Sequence, residues 1–185
     1  MDATCLFTDD PAEASAEASA EASLEVLRRR RARRSLLEFT RYTKSDYIVS
    51  WHHELLCRKL DAVVRGEIKR LMVFEPPRHG KSELVSRRLP AYLLGRHPDA
   101  AIIACTYSAD LAGVLNRHVQ LIMDSPEYGR LFPGTLLYSG NVRTLAGSRG
   151  LYLRNSDIFE VVGRRGFYRG AGRGQGITGI GGQLL

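Results

Sequence analysis

The sequence predicts an α/β domain with a mostly parallel sheet flanked by helices. Two short apolar runs, 70–75 and 101–106, are each followed by an apolar stripe at helical spacing, the strand–helix alternation of parallel sheets. A Gly80-Lys81-Ser82 triplet sits between the first run and its helix. The chain has 185 residues, 44% hydrophobic and 25% charged, which is enough for one core and too little for two.

The chain opens on a low-complexity stretch. Residues 1–27 hold seven Asp/Glu and no Lys/Arg, four of the acids recurring every fourth residue at Glu13, Glu17, Glu21 and Glu25. That period stacks like charges on one helical face, which weakens a helix that the intervening alanines favour. Six arginines follow between Arg28 and Arg34. They could lie along nucleic-acid phosphates or form a solvated face neutralised by the acidic repeat, and the absence of interleaved aromatics favours the second. Residues 1–35 therefore read as an acidic-then-basic arm, disordered or a frayed helix. Order is expected from Leu36, so the domain proper spans 36–185.

From Trp51 to Arg65, Leu56, Leu60, Val63 and Val64 recur at helical spacing, and Gly66 stands where a helix C-terminus wants it. Residues 70–75 then read as a short buried strand stopped by Pro76-Pro77. The next helix begins near Lys81 and runs toward Gly95, with Pro90 as a kink or early end. Residues 101–106 form a second buried strand. Ser108 can cap the following helix, with Asp110 in its first turn and a stripe of Leu111, Val114, Leu115, Val119, Ile122 and Met123. Beyond Pro133 come shorter strand-like pieces, 151–154 and 159–162, and then a glycine-rich region from Gly163 to Gly182 that reads as loop.

The chemistry concentrates at the triplet. In a phosphate-binding loop, backbone N–H groups at a helix N-terminus cradle phosphates, a lysine reaches the β/γ oxygens, and a Ser/Thr hydroxyl ligates magnesium. Glycine lets the backbone come close, Lys81 supplies a mobile point charge, and Ser82 a small hard oxygen. The strict pattern G-x-x-x-x-G-K-[ST] asks for glycine at position 75, where this chain has Glu75. The strand before, the helix after and the second strand–helix unit are what make this a P-loop NTPase-like reading. Arg78, inside the loop, can sense or stabilise γ-phosphate charge, or alternatively pair with Glu75 or Glu83. His79 reads as backbone filling of the loop. His52 and His53, adjacent rather than a turn apart, read as helix-start residues, and His118 as a core histidine.

Charge and cysteines narrow the class. Residues 28–185 carry 27 Lys/Arg against 13 Asp/Glu, a net +14 that favours a polyanionic partner, although an Arg-rich coding bias accounts equally well for much of it. Cys5, Cys57 and Cys105 give neither a disulfide framework nor a zinc spacing, which suits a reducing cytoplasm. The longest apolar runs, about five residues, fall far short of the ~18 that cross a bilayer, so no membrane role is expected. The N-terminus has neither a secretory nor a transit pattern.

Several segments together resemble the large terminase subunit of tailed double-stranded-DNA bacteriophages: Phe39-Thr-Arg-Tyr42, Trp51-His-His-Glu-Leu-Leu56, Leu71-Met-Val-Phe-Glu-Pro-Pro-Arg-His-Gly-Lys-Ser82, Asp124-Ser-Pro-Glu-Tyr128 and Leu131-Phe-Pro-Gly134. The likeness continues through Phe159-Glu-Val-Val-Gly163, Gly166-Phe-Tyr-Arg169 and Gly176-Ile-Thr-Gly179, and so covers residues 35–185. The loop form P-P-R-x-G-K-S is more specific than the bare triplet and accounts for the missing first glycine. The resemblance implies the ATPase part of an ATP-driven motor that packs double-stranded DNA into a procapsid in the bacterial host cytoplasm. It implies ATP and Mg2+ as cofactors, contacted by Pro77, Arg78, His79, Gly80, Lys81, Ser82 and Glu83. Arg78 and Lys81 would be catalytic and Ser82 would hold magnesium, while Tyr47 to His53 lies where an adenine-contacting motif is expected. The implied partners are duplex DNA, the portal, the small terminase subunit and further copies in a ring.

Members of that family continue from the glycine-rich stretch into a strand ending in acidic residues, the Walker B motif. Here the sequence ends at Gln183-Leu-Leu185, within that strand. The expectation is an incomplete ATPase domain, without the second acidic motif or the C-terminal nuclease domain, that binds ATP without turning it over. Two other readings stand beside it. Gly163 to Gly176 has the Arg-Gly and aromatic composition of nucleic-acid-binding tails, and the loop also suits another P-loop motor such as a helicase-like protein.

Overall fold

The computed structural model describes residues 11–138, 142–143, 150–173 and 182. In chain order the elements are α1 (Pro11–Ala32), α2 (Leu36–Thr43), α3 (Trp51–Val64), a π-helical segment (Glu83–Arg88) running straight into α4 (Leu89–Arg96), β1 (Ala101–Thr106), α5 (Ala109–Met123) and α6 (Pro126–Leu131). They are followed by β2 (Val142–Arg143), β3 (Tyr152–Leu153), β4 (Ile158–Glu160) and β5 (Phe167–Gly172). The class is mixed α/β, as the alternation predicts. The sheet is smaller and less parallel than expected: its order is β1-β5-β4, with β5 parallel to β1 and antiparallel to β4, and β2 and β3 pair separately.

The arm is not a loose tail. α1 is helical from Pro11, and its end is anchored where Ala32 and Leu36 are fully buried, so order begins well before Leu36. The like-charge stacking is relieved at Glu25, which accepts from Arg29 Nε at 2.7 Å and from the Tyr42 hydroxyl of α2. Arg33 donates to the carbonyls of Leu131 and Arg130, tying the arginine run to α6. Phe39 of α2 then meets Tyr92 of α4, Tyr128 of α6 and Phe132 with ring centroids 5.3, 6.1 and 6.1 Å away, an aromatic knot that holds the helical layer together. A carboxylate from a distant helix serves as a cap: Asp61 of α3 accepts from the Leu36 N–H at the start of α2, 2.9 Å away.

Residues 70–75, expected as a strand, are extended but unpaired. Their period-two pattern survives, with Val73 against the core while Met72 and Phe74 are 78% and 83% exposed. A strand needs a neighbour to take its N–H and C=O groups, and none of the described residues supplies one to this segment. Pro90 neither kinks nor ends its helix. The π turn ends just before it, with Leu89 N–H donating five residues back to the Leu84 carbonyl, and the wider turn makes room for a ring that would crowd an α-helical carbonyl.

The largest correction concerns the glycine-rich region. Instead of a loop or tail, 167–172 is the central strand of the sheet, with Tyr168 fully buried and stacked on Phe159 at 5.4 Å. Its glycines are there because α5 lies against it: a Cβ on Gly172 would come within 2.2 Å of the Ala109 N, and one on Gly170 within 3.0 Å of the Ala112 carbonyl oxygen. Gly166 likewise faces the Pro98 carbonyl oxygen, 2.1 Å from where its Cβ would be. Gly176 to Gly179 and Gln183 to Leu185 lie outside the described residues, as does Cys5.

α5 starts as predicted, with the Ser108 hydroxyl accepting from Leu111 N–H at 3.2 Å. Its buried face uses Ala112, Leu115, Asn116, Val119, Ile122 and Met123, while Val114 is exposed. His118 is half-buried rather than in the core, its Nδ1–H donating to the Val114 carbonyl at 2.8 Å. Among the described residues no helix is long and apolar enough to cross a membrane.

Gly172→Ala is expected to cost upwards of about 2 kcal/mol, because the backbone it meets cannot step aside. Gly113→Ala, in α5 with its nearest neighbour 3.8 Å from the new Cβ, should be stabilising by about 0.5–1 kcal/mol. Denaturant unfolding of the two variants checks the contrast. A second expectation concerns alkaline pH. Burial, then the Asp61 charge, pushes the Cys57 thiol up to about 12, and burial does the same to the Tyr92 and Tyr168 phenols. The folded chain thus keeps protons that the unfolded chain releases, so stability should fall as pH rises from about 9 toward 12. Unfolding free energies measured across that range would read it directly.

Candidate functional site

Pro76 and Pro77 end the extended segment, and the chain then turns through two left-handed residues, Arg78 at φ 65° and Gly80 at φ 85°. Arg78 is the only non-glycine residue with positive φ among the described residues, a strain of the order of 1 kcal/mol. Lys81 and Ser82 then start a helical turn, whose first bond is Leu84 N–H to the Gly80 carbonyl at 3.1 Å. A left-handed residue running into helical ones turns successive N–H groups toward one side, the concave arrangement that takes anions. Among the described hydrogen bonds outside helices and strands, none uses the N–H of Arg78, His79 or Gly80.

The side chains sort clearly. His79 donates from Nδ1 to the Pro77 carbonyl at 2.9 Å, filling the turn as expected. Lys81 is half-buried and folds back onto the extended segment, Nζ donating to the Glu75 carbonyl at 3.3 Å. Arg78 and Ser82 are exposed, and neither has a side-chain partner among the described residues, so the alternative pairing of Arg78 with Glu75 or Glu83 is not made. Glu83 is engaged elsewhere. Its carboxylate accepts from Arg87 at 2.9 Å and Arg88 at 2.8 Å, and buried Arg88 also donates to the Thr43 hydroxyl at 2.7 Å. Burial alone would raise the Glu83 carboxyl, but the two guanidiniums, Arg88 foremost, hold it below the usual range.

Of the seven residues assigned to the nucleotide, six therefore share one turn, and Glu83 offers only its backbone. The sequence reading missed what holds that turn. The Ser50 N–H donates to His53 Nδ1 at 3.1 Å, which places the His53 proton on Nε2. That Nε2–H donates to the His79 carbonyl at 3.0 Å, and His52 Nε2 reaches the same oxygen at 3.2 Å. Two imidazoles from the first turn of α3 thus grip one carbonyl of the loop. They are helix-start residues, as read, and they also brace the loop.

Tyr47 packs on His53 with centroids 5.2 Å apart, and burial, then nearby negative charge, pushes its phenol up to about 12. A Cβ on Gly80 would lie 2.5 Å from His53 Nε2 and 3.3 Å from the Tyr47 oxygen. The segment from Tyr47 to His53 therefore meets the loop directly. A glycine sitting between a Pro-Pro and a helix was the one signal of this closeness in the sequence.

Gly80→Ala should disorder the loop on both counts, its positive φ and the collision with His53, while the core stays folded. His53→Ala should loosen the turn without the backbone strain. Amide exchange at residues 78–82 tests both variants, and protection unchanged from wild type would contradict the brace. Compared with known proteins, the chain matches no family model, no curated protein and no solved structure.

Proposed function

We propose that this chain is a nucleotide-binding domain that holds the phosphates of Mg2+-ATP on the 76–82 loop, and that it is the ATPase part of a DNA-packaging motor of the large-terminase kind. The observation that carries the first half is the left-handed turn at Arg78 and Gly80 feeding a helix that opens with Lys81 and Ser82. The motif segments quoted above carry the second half.

The residues present fit a bound polyphosphate. The loop N–H groups are available, the cradle is braced by His52 and His53, and Lys81 has only a weak carbonyl contact to exchange for a phosphate. Ser82 keeps an uncommitted hydroxyl for magnesium, and exposed Arg78 can swing over the terminal phosphate. Magnesium, when bound, would neutralise charge on the bridging oxygens. Lys81 would bind and orient the transferred group, and Arg78 would stabilise charge that grows on it. Pro77 and His79 shape the turn rather than react. The net +14 of residues 28–185 suits a duplex DNA partner. Portal, small subunit and ring neighbours belong to the same proposal, as does activity in the bacterial cytoplasm. The Arg-Gly tail reading is weaker than before, since 167–172 is a buried strand.

Titration of the full chain with a fluorescent ATP analogue and Mg2+ tests the first half. Lys81→Ala should weaken binding about ten- to a hundredfold, the scale of one charge-assisted contact to phosphate. Equal affinity in wild type and variant would refute the loop assignment.

A further inference from the structure

A second cationic site lies apart from the loop. A cavity of about 310 Å³ opens between the end of α2, the π-helical segment and the C-terminal half of α5, lined by Lys44, Glu83, Arg87, Arg88, His118 and Ser125 among others. Three of these carry fixed positive charge and one carboxylate, Glu83, opposes them. Lys44 also meets Asp46 at 3.3 Å, but that acid is exposed and outside the lining.

The two arginines are not equivalent. Arg88 is buried and committed, Nε to Glu83 and Nη1 to Thr43, and so builds the wall. Arg87 gives Nη1 to Glu83 at 2.9 Å, but its Nε is buried with no acceptor. A desolvated guanidinium N–H without an acceptor is costly, and nature seldom leaves one unfilled. His118 spends Nδ1 on the Val114 carbonyl, which leaves Nε2 for a ligand. A guanidinium fork beside an ammonium, with an excess of two positive charges, matches a tetrahedral dianion better than a planar carboxylate.

We propose that this cavity binds a phosphate group, with Arg87 as its principal donor and Lys44 as the second. The phosphate could be a free anion or part of a polynucleotide backbone, and the chemistry that recognises it is the same. The site shares no phosphate ligand with the 76–82 loop, so it stands whether or not that loop binds ATP.

The test uses the full chain carrying Lys81→Ala, so that the loop contributes least, and follows the Arg87 Nε–H resonance by NMR, assigned by its loss in Arg87→Gln. Inorganic phosphate should shift it, and Lys44→Gln should weaken that response about tenfold. In a second arm a short DNA duplex is added instead. If the duplex shifts the same resonance and salt reverses it, the phosphate is that of a polynucleotide. If only inorganic phosphate does so, the ligand is a free anion. The proposal is overturned if neither moves the resonance, or if Lys44→Gln responds as the parent does. Lys44 sits at the exposed end of α2, so that variant keeps the test decisive even if Arg87→Gln fails to fold.

Discussion

Gly170 and Gly172 let α5 come so close to β5 that a methyl group at either position would press on the backbone of Ala112 or Ala109. The rest of the sheet depends on that approach. β5 is the strand to which both β1 and β4 are hydrogen-bonded, in opposite directions. Fixing β5 against α5 fixes β1, and β1 is the strand that follows the helix leading out of the loop. A side chain of any size in β5 would lift the helix from the sheet and leave Tyr168 without its closed surroundings. Glycine carries an entropic cost in a strand, and here that cost is offset by the packing it permits.

The loop depends on a different constraint, one that comes from α3. A turn with two left-handed residues is not stable on its own, and Arg78 adds strain of its own. What holds it is the His79 carbonyl, whose lone pairs accept from both His52 and His53. The His53 proton is on the correct nitrogen because the Ser50 N–H occupies the other. A helix-capping contact thus sets the tautomer that braces the loop, so the start of α3 and the turn at 77–80 act as one unit. Binding of phosphate to a turn already fixed in this way loses less conformational freedom than binding to a loose one.

Below the loop, Glu83 turns away from that chemistry. It holds Arg87 and Arg88, and Arg88 in turn reaches Thr43, so the π-helical segment is stitched to α2 by charge-assisted bonds in a partly buried setting. One carboxylate cannot satisfy two guanidiniums, and the remainder appears as the unpartnered Arg87 Nε. The same imbalance distinguishes the cavity beside it from ordinary surface clefts, where opposite charges are evenly matched.

Much of this molecule was legible in the sequence wherever the cause is local. The caps at Ser108 and Gly66, the amphipathic α3, β1, and the turn carrying Gly80, Lys81 and Ser82 follow from spacing, capping chemistry and the φ freedom of glycine. What the sequence could not carry depends on neighbours far along the chain. Residues 70–75 have the pattern of a strand but no partner among the described residues to pair with, and strand formation is decided by pairing rather than pattern. The run from Gly166 to Gly172 has the composition of a loop and becomes the central strand because α5 leaves no room for side chains. His52 and His53 look like ordinary first-turn residues until folding brings the His79 carbonyl to them. The sequence by itself determined the class, the helices and the chemistry of the loop, because those rest on residues within a few positions of one another. The tertiary structure alone decided which strand is central and what braces the loop, because close packing and shared acceptors exist only between segments that the fold has brought together.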